Sequence, residues 1–171
     1  MILLACTERT NLRRRNAEEG KQVSIRRMVP EEVEGILPIV ASTPFNPWSK
    51  KMLLEELAQP YSHSYLLCLT VNPGKPLSMG FLCFRLIGEE SELLNLCIAS
   101  EFRQQGWGKR LMSFYIACSE RKGARQYFLE VSESNLPAIQ LYHSFGFRSI
   151  GKRKKFYQGK EDALLMTRSI S

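Results

Sequence analysis

The sequence predicts an α/β (α+β) domain in which a mixed, mostly antiparallel sheet of about seven strands carries helices on both faces. Three observations lead there. Strand-like and helix-like runs follow the order β-α-α-β-β-β-α-β-α-β-β. The long runs Ser64 to Val71, Ser78 to Leu86 and Ser91 to Ala99 are separated only by Asn72-Pro-Gly-Lys-Pro and Ile87-Gly-Glu-Glu. Separators that short and turn-rich join antiparallel neighbours. From Leu93 a strand, a glycine turn and an amphipathic helix lead to a further strand, Gln126 to Val131, and a strand reached through a helix lies parallel to its predecessor by a right-handed crossover.

The elements follow in order. Met1 to Lys21 has no sustained apolar period and contains Arg13-Arg14-Arg15, so residues 1–21 are expected to be a flexible basic extension and residues 22–171 a single domain. Val23 to Met28 alternates like a strand, and Pro30-Glu-Glu supplies the proline and acidic first turn of a helix reaching about Ala41. Thr43 to Ser49 is a proline-broken loop. Ser49 caps a second helix, Lys50 to Ala58, with Met52, Leu53 and Leu57 at helical spacing. After the three-strand meander, a helix from Gly106 to Lys122 places Trp107, Leu111, Phe114, Tyr115 and Cys118 on one face, and Gly123 ends it. That stripe is read as core. A helix carrying Ala138, Leu141, Tyr142 and Phe145 stops at Gly146, and Phe147 to Ile150 with Ala163 to Ser169 form a final strand pair split by a basic loop, Lys152 to Asp162.

Composition bounds the function. At 171 residues the chain holds one domain, burying about two thirds of its unfolded surface. Its 44% hydrophobic and 24% charged content are ordinary for a globular protein, and no apolar run approaches a membrane span; a cytoplasmic location is expected. Five cysteines without a CxxC pair are read as reduced and structural. Two histidines do not make a zinc site, so no metal is expected. The net charge of +7 is concentrated in Arg9 to Arg15 and Lys152 to Lys155, which hold eight of the basic residues. Such clusters are solvated faces in most proteins, and the same excess would serve polyanionic CoA or weak contact with a ribosome or RNA.

The chemistry is concentrated between Leu93 and Leu111. Gly106 and Gly108 open a helix, whose first-turn amides lack partners and whose dipole favours an anion by ~0.3–1 kcal/mol. The pattern is neither Walker A nor GxGxxG. Arg103-Gln-Gln-Gly106-Trp-Gly108 fits Gln/Arg-x-x-Gly-x-Gly/Ala and resembles the pyrophosphate loop of the GNAT acyltransferases, which bind acetyl-CoA. Leu94-Asn95-Leu96-Cys97-Ile98, Leu129-Glu130-Val131, Ser134-Asn135, Ala138-Ile139, Leu141-Tyr142 and Phe145-Gly146-Phe147 resemble the bacterial RimI group within that superfamily, the ribosomal-protein-alanine N-acetyltransferases. Pro47-Trp48-Ser49, Phe156-Tyr157 and Glu161-Asp162-Ala163 match it as well. The resemblance runs from Gln22 to the C-terminus. Met1 to Lys21 has no counterpart, Pro137 replaces a small residue, and the loop before Glu161 is short for the group.

The resemblance implies the GNAT fold, splayed between the fourth and fifth strands, with pantetheine in the cleft. Main-chain groups of Leu96, Cys97 and Ile98 would pair with it. Arg103, Gln104, Gln105, Gly106, Trp107, Gly108 and Lys109 would surround the pyrophosphate, and Asn135 would bond pantetheine from the other side. Asn135 also reads as a helix cap, and both roles can coexist. Glu130 takes the family position of the general base and Tyr142 that of the residue facing the departing sulfur. Trp48 and Tyr157, with Phe156, would border the amine.

Direct transfer needs a neutral amine. Moving its proton from an α-amine near ~7.7–8.0 to a carboxylate near ~4.3 is uphill by roughly 5 kcal/mol, and a lysine near ~10.4 adds about 3 kcal/mol more. An N-terminal acceptor is therefore favoured, with a raised Glu130 pKa or a relaying water expected. Cys97 has no histidine to activate it as a nucleophile. The implied activity is acetyl transfer from acetyl-CoA to the N-terminal alanine of a small-subunit ribosomal protein. The alternatives are the same chemistry on another N-terminus, a lysine or a small amine, or a non-catalytic RNA- or ribosome-associated module.

Overall fold

The computed structural model describes residues 20–43, 48–71, 74–157 and 159–170. All but the last two residues of the expected extension, Pro44 to Pro47 of the expected proline-broken loop and the Asn72-Pro73 start of a turn lie outside the described residues. Strands β1 (Lys21–Arg27), β2 (Ser62–Val71), β3 (Leu77–Ile87), β4 (Glu90–Ile98), β5 (Gln126–Ser132), β6 (Arg148–Tyr157) and β7 (Glu161–Ser169) form one sheet in the order β1-β2-β3-β4-β5-β7-β6. Every pairing is antiparallel except β4 with β5, so the meander and the crossover both stand as the sequence implied.

Helices α1 (Val33–Ala41) and α2 (Lys50–Leu57) cover one face, and α3 (Trp107–Arg121) and α4 (Leu136–Ser144) cover the other. Strand alternation supplies both layers. Leu66, Cys68, Phe81 and Cys83 pack with Val33, Ile36 and Val40 of α1 and Leu53 of α2. Their neighbours Leu67, Leu82 and Phe84 pack with Leu111, Met112 and Tyr115 of α3 and Tyr142 of α4. The helix starts are built by local chemistry. Glu32, in the 3-10 turn Pro30–Glu32 that leads into α1, accepts from Val29 N at 3.1 Å and pairs with Arg26. Ser49 Oγ accepts from Met52 N at 3.2 Å, as its capping role requires.

What positions the site is the way β4 and β5 part. They pair only from Glu90 with Gln126 to Leu93 with Leu129. In the next pairing, β4 skips a residue against β3: Leu93 faces Phe84 and Asn95 faces Cys83, leaving Leu94 as the extra residue of a bulge. Beyond it Asn95 to Ile98 stay on β3 while Glu130 to Ser132 stay on β7. The sheet therefore splays from Leu94 and Glu130 onward. Gly80 lies opposite Ile98, where an added Cβ would sit 2.5 Å from the Cys97 carbonyl oxygen, so only glycine lets the two strands close here.

Two expectations need correction. The basic stretch from Lys152 is not a loop: β6 runs through it to Tyr157, and the turn before β7 is short. As the edge strand β6 is exposed almost throughout, so it needs no apolar alternation, and its lysines and arginines discourage pairing with another chain. In α2, Met52 is 45% exposed, and the buried positions are Leu53 and Glu56. Glu56 is held there by two bonds from Arg85, at 2.8 and 2.6 Å, so a paired charge shares the buried side of the helix with Leu53 and the partly buried Leu57.

Candidate active site

The loop after β4 is shaped for main-chain donors. Gly106, at φ +84°, turns the chain into α3, and an added Cβ there would meet nothing, so the glycine serves the left-handed backbone. Gln104 is also left-handed, at φ +60°. No side chain caps α3, and its first turn holds no acidic residue. The first main-chain bond of the helix is Arg110 N to Gly106 O at 3.1 Å; among the described residues, the amides from Gln104 to Lys109 have no main-chain acceptor. A helix N-terminus left this way attracts an anion.

That terminus opens on a cavity of about 740 Å³ between β4, α3 and α4. Of the residues expected around a cofactor, Leu96, Cys97, Ile98, Arg103, Gln104, Gly106, Gly108, Lys109 and Asn135 line it. Gln105 and Trp107 do not. Gln105 folds back to donate to the Glu101 carbonyl at 2.9 Å and accepts from Trp107 Nε1 at 3.4 Å, while Arg110 lies over the indole. Both residues therefore stabilise the outside of the turn. Arg103 is occupied in a different way: its guanidinium donates to Ile98 O at 2.9 Å and to Ser42 Oγ at 2.8 Å, strapping the loop to the end of α1. Asn135 Oδ1 accepts from Ala138 N at 3.3 Å, the capping bond, and its amide nitrogen keeps two donors.

A second, smaller cavity of about 60 Å³ is lined by Leu93 to Leu96, Glu130, Val131, Ser132, Tyr142 and Tyr157. Thr43, Leu96 and Asn135 line both cavities, so the two meet where β4 and β5 diverge. Glu130, Tyr142 and Tyr157 are thus brought together at one cavity. Glu130 is 27% exposed, and its Oε1 accepts from Arg153 Nη1 at 3.0 Å. Burial pushes the Tyr142 hydroxyl well above the ordinary phenol range, so it stays protonated at any working pH. Tyr157 is pushed up to about 12, chiefly by burial and then by the charges of Glu130 and Glu161. Trp48 is not at either cavity; it packs beside the buried cluster under α1 and α2, where loop aromatics find apolar cover.

Cys97 is buried, its thiol raised by that burial, and its Sγ donates to Asn95 Oδ1 at 3.0 Å, which suits a structural thiol. The four described cysteines are all free and buried. Among the described residues no group of three His, Cys, Asp or Glu could hold a metal ion, and no helix is long and apolar enough to cross a membrane.

Sequence reasoning missed several lining residues. Ser42 and Thr43 enter from the end of α1, remote in sequence from the glycine loop. Ala138 and Leu141 line the larger cavity from α4, where the sequence had placed them on the helix without a role in the site. Asn95 lines the smaller one; a lone amide inside Leu94-Asn95-Leu96-Cys97-Ile98 was the signal that could have found it.

Residues 33–147 match the model of the acetyltransferase (GNAT) family. The chain is similar to the [ribosomal protein bS18]-alanine N-acetyltransferase of Escherichia coli strain K12, 33% identical over 73% of this chain and 82% of that one. Its likeness to the enzyme of that name from Haemophilus ducreyi is 30% over 83% and 97%. Among solved structures, the ribosomal-protein-S18-alanine N-acetyltransferase of Escherichia coli superposes with a TM-score of 0.76 at 27% identity, covering 88% of this chain and 95% of that one. Arabidopsis thaliana NAA60 in complex with acetyl-CoA has a TM-score of 0.76 at 19% identity over 87% and 99%, a likeness of fold.

Proposed function

This chain belongs to the acetyltransferase (GNAT) family, and we propose that it moves an acetyl group from acetyl-CoA to the N-terminal alanine amine of a small-subunit ribosomal protein. The observation that carries the reading is the uncapped start of α3, whose amides open on a cavity that joins the pocket of Glu130 and Tyr142. Names of the bacterial relatives support the acceptor, and the solved neighbour that binds acetyl-CoA supports the donor.

Acetyl-CoA supplies an activated thioester. The amides from Gln104 to Lys109 and the Lys109 ammonium hold its diphosphate at the mouth of the larger cavity. Leu96 to Ile98, released from β5 by the splay, offer a free strand edge to the pantetheine amides. Glu130 removes a proton from the acceptor amine, directly or through a water, as the amine forms its bond to the acetyl carbon. Tyr142 hydrogen-bonds the sulfur as the carbon–sulfur bond breaks and negative charge develops there. With thiol near ~8.5 and phenol near ~10, stabilising the thiolate is easier than protonating it fully, by about 2 kcal/mol; burial of Tyr142 widens that gap. Arg153 holds one oxygen of Glu130, which fixes the carboxylate's orientation and leaves the other for the proton. The work falls in the cytoplasm, where ribosomal proteins are made.

The test is a panel of N-terminal peptides incubated with acetyl-CoA and read by mass spectrometry. Acetylation of an alanine-first peptide from a small-subunit ribosomal protein ahead of other N-termini and of lysine is the expected result. A preference for lysine or a small amine would overturn the acceptor assignment, and stabilisation by RNA but not by acetyl-CoA in a thermal shift assay would overturn the enzyme reading.

A further inference from the structure

Asn95 stands out on β4. The residue is 8% exposed and lines the smaller cavity, across from Glu130 and Tyr157. Its Oδ1 accepts from Cys97 Sγ at 3.0 Å, and Cys97 Sγ is in turn bonded to Thr43 Oγ1 at 3.1 Å. The chain hydroxyl, thiol, carbonyl oxygen gives the acceptor end of the amide a partner and fixes which way it faces. Asn95 Nδ2 has no partner, one of three such buried side-chain atoms among the described residues. The other two, Tyr127 Oη and Arg168 Nη1, line neither cavity. An orphaned buried donor costs stability, and one retained at the wall of a reaction pocket is explained by a ligand that satisfies it.

We infer that Asn95 Nδ2 donates to the carbonyl oxygen of the acceptor's first residue, making Asn95 a residue that selects an α-amine beside a peptide bond over an isolated amine. The inference rests on the acyl-transfer reading above. The chemistry narrows the partner. An N–H donor has nothing to offer the attacking nitrogen, whose lone pair must point at the thioester. Two bonds from an α-amine, however, every peptide carries a carbonyl acceptor, whereas a lysine ε-amine or an alkylamine has none at that distance. An acceptor without it leaves the buried Nδ2 unpaired and is bound more weakly. Thr43 belongs to both cavities, so the chain from Thr43 through Cys97 to Asn95 also ties this donor to the wall of the larger cavity.

The experiment crosses the variant Asn95→Leu with an acceptor analogue. Two probes are used: an alanine-first peptide and the same peptide with its first carbonyl reduced to a methylene. For the wild type, reduction should lower kcat/KM by ~10-fold to ~100-fold. Asn95→Leu should lower kcat/KM for the normal peptide by a similar factor, mostly through KM, and reduction should then cost clearly less than it costs the wild type, the remainder being the higher basicity of an amine no longer beside a carbonyl. Its melting temperature should change little, because the substitution removes an unpaired buried donor together with the acceptor of the weak Cys97 thiol bond. Losses that multiply instead of overlapping, or a lowered melting temperature with both acceptors affected alike, would overturn the inference and leave Asn95 a packing residue. Wild-type protein that binds acetyl-CoA and acetylates lysine but no N-terminal peptide would remove the underlying acceptor reading, an outcome visible before any variant is made.

Discussion

Replacing Asn135 separates its two roles. Its side chain caps α4 through a bond of 3.3 Å to Ala138 N and lines both cavities. A cap of ordinary length is worth ~0.5–2 kcal/mol. This one is longer than the usual 2.9–3.0 Å, which places it in the lower half of that range, at about 1 kcal/mol. For a chain of this size Asn135→Ala should lower the melting temperature by about 2–4 °C. Asn135→Ser keeps a capping oxygen and adds no charge, so it should recover most of that loss. Neither variant has the amide nitrogen. If that nitrogen donates to a pantetheine carbonyl, its removal leaves an unpaired acceptor in the cleft, worth ~1–2 kcal/mol, or about a 5- to 30-fold rise in the dissociation constant.

Two measurements on the same three proteins decide the matter: thermal unfolding, and acetyl-CoA binding by calorimetry. The expected pattern is stability restored in Asn135→Ser with acetyl-CoA affinity still reduced. Asn135→Ser binding acetyl-CoA as tightly as the wild type would refute the reasoning and leave Asn135 a cap alone.

Glu130→Gln keeps the shape of the residue and a bond to Arg153 while removing the base; kcat should fall by ~10²-fold or more with acetyl-CoA affinity little changed, and retention of half the rate across pH 6–9 would remove Glu130 from that role. Tyr142→Phe should slow transfer by about 10²-fold, and because burial keeps the hydroxyl protonated, the wild-type rate should show no alkaline loss attributable to a tyrosine below pH ~10; an unchanged rate would assign Tyr142 to packing. His63 predicts a stability profile: burial first, then the Lys122 and Arg27 charges, lowers it to about 4, while its unfolded value is near ~6.5. The unfolded chain binds the extra proton between these values, so this contribution is present above pH ~6.5 and is lost as pH falls toward 4. His63→Gln should flatten the fall in melting temperature between pH 7 and 5, and an unaltered slope would show that other groups cause it.

Much of the fold was legible because its signals are local. Pro30-Glu-Glu, Ser49 and Gly123 mark helix ends through bonds made within a turn, and the short separators in the meander leave few topologies. The glycine loop before α3 was legible for the same reason: Gly106 is needed where it stands by the backbone it adopts. Side-chain roles along that loop were less so. Arg103, Gln105 and Trp107 follow the sequence pattern, yet their side chains brace the turn against Ser42, Glu101 and each other, and a pattern cannot distinguish a residue that supports a main-chain cradle from one that lines it. The basic run from Lys152 was read as a loop because strand signals assume one buried face, which an edge strand such as β6 does not have.

The bulge at Leu94 explains why the acceptor side was the harder half to see. Without the extra residue, β4 would keep its alternation through Leu93, Asn95 and Cys97, and Asn95 would share the face of Leu93, packed under α3 and α4. The skipped position moves Cys97 to the α1 and α2 face and gives Leu96 and Ile98 to the other. A single register slip thus puts an amide on the wall of the smaller cavity and a hydrophobic edge on the larger one. Nothing in Leu93 to Ile98 announces it, because bulge and regular strand bury the same number of apolar side chains in this stretch. The slip is set by the partners on β3, and it starts one residue past the last β4–β5 pair, Leu93 with Leu129. Splay and bulge therefore form one structural event, which places the two halves of the proposed reaction on opposite sides of the same strand.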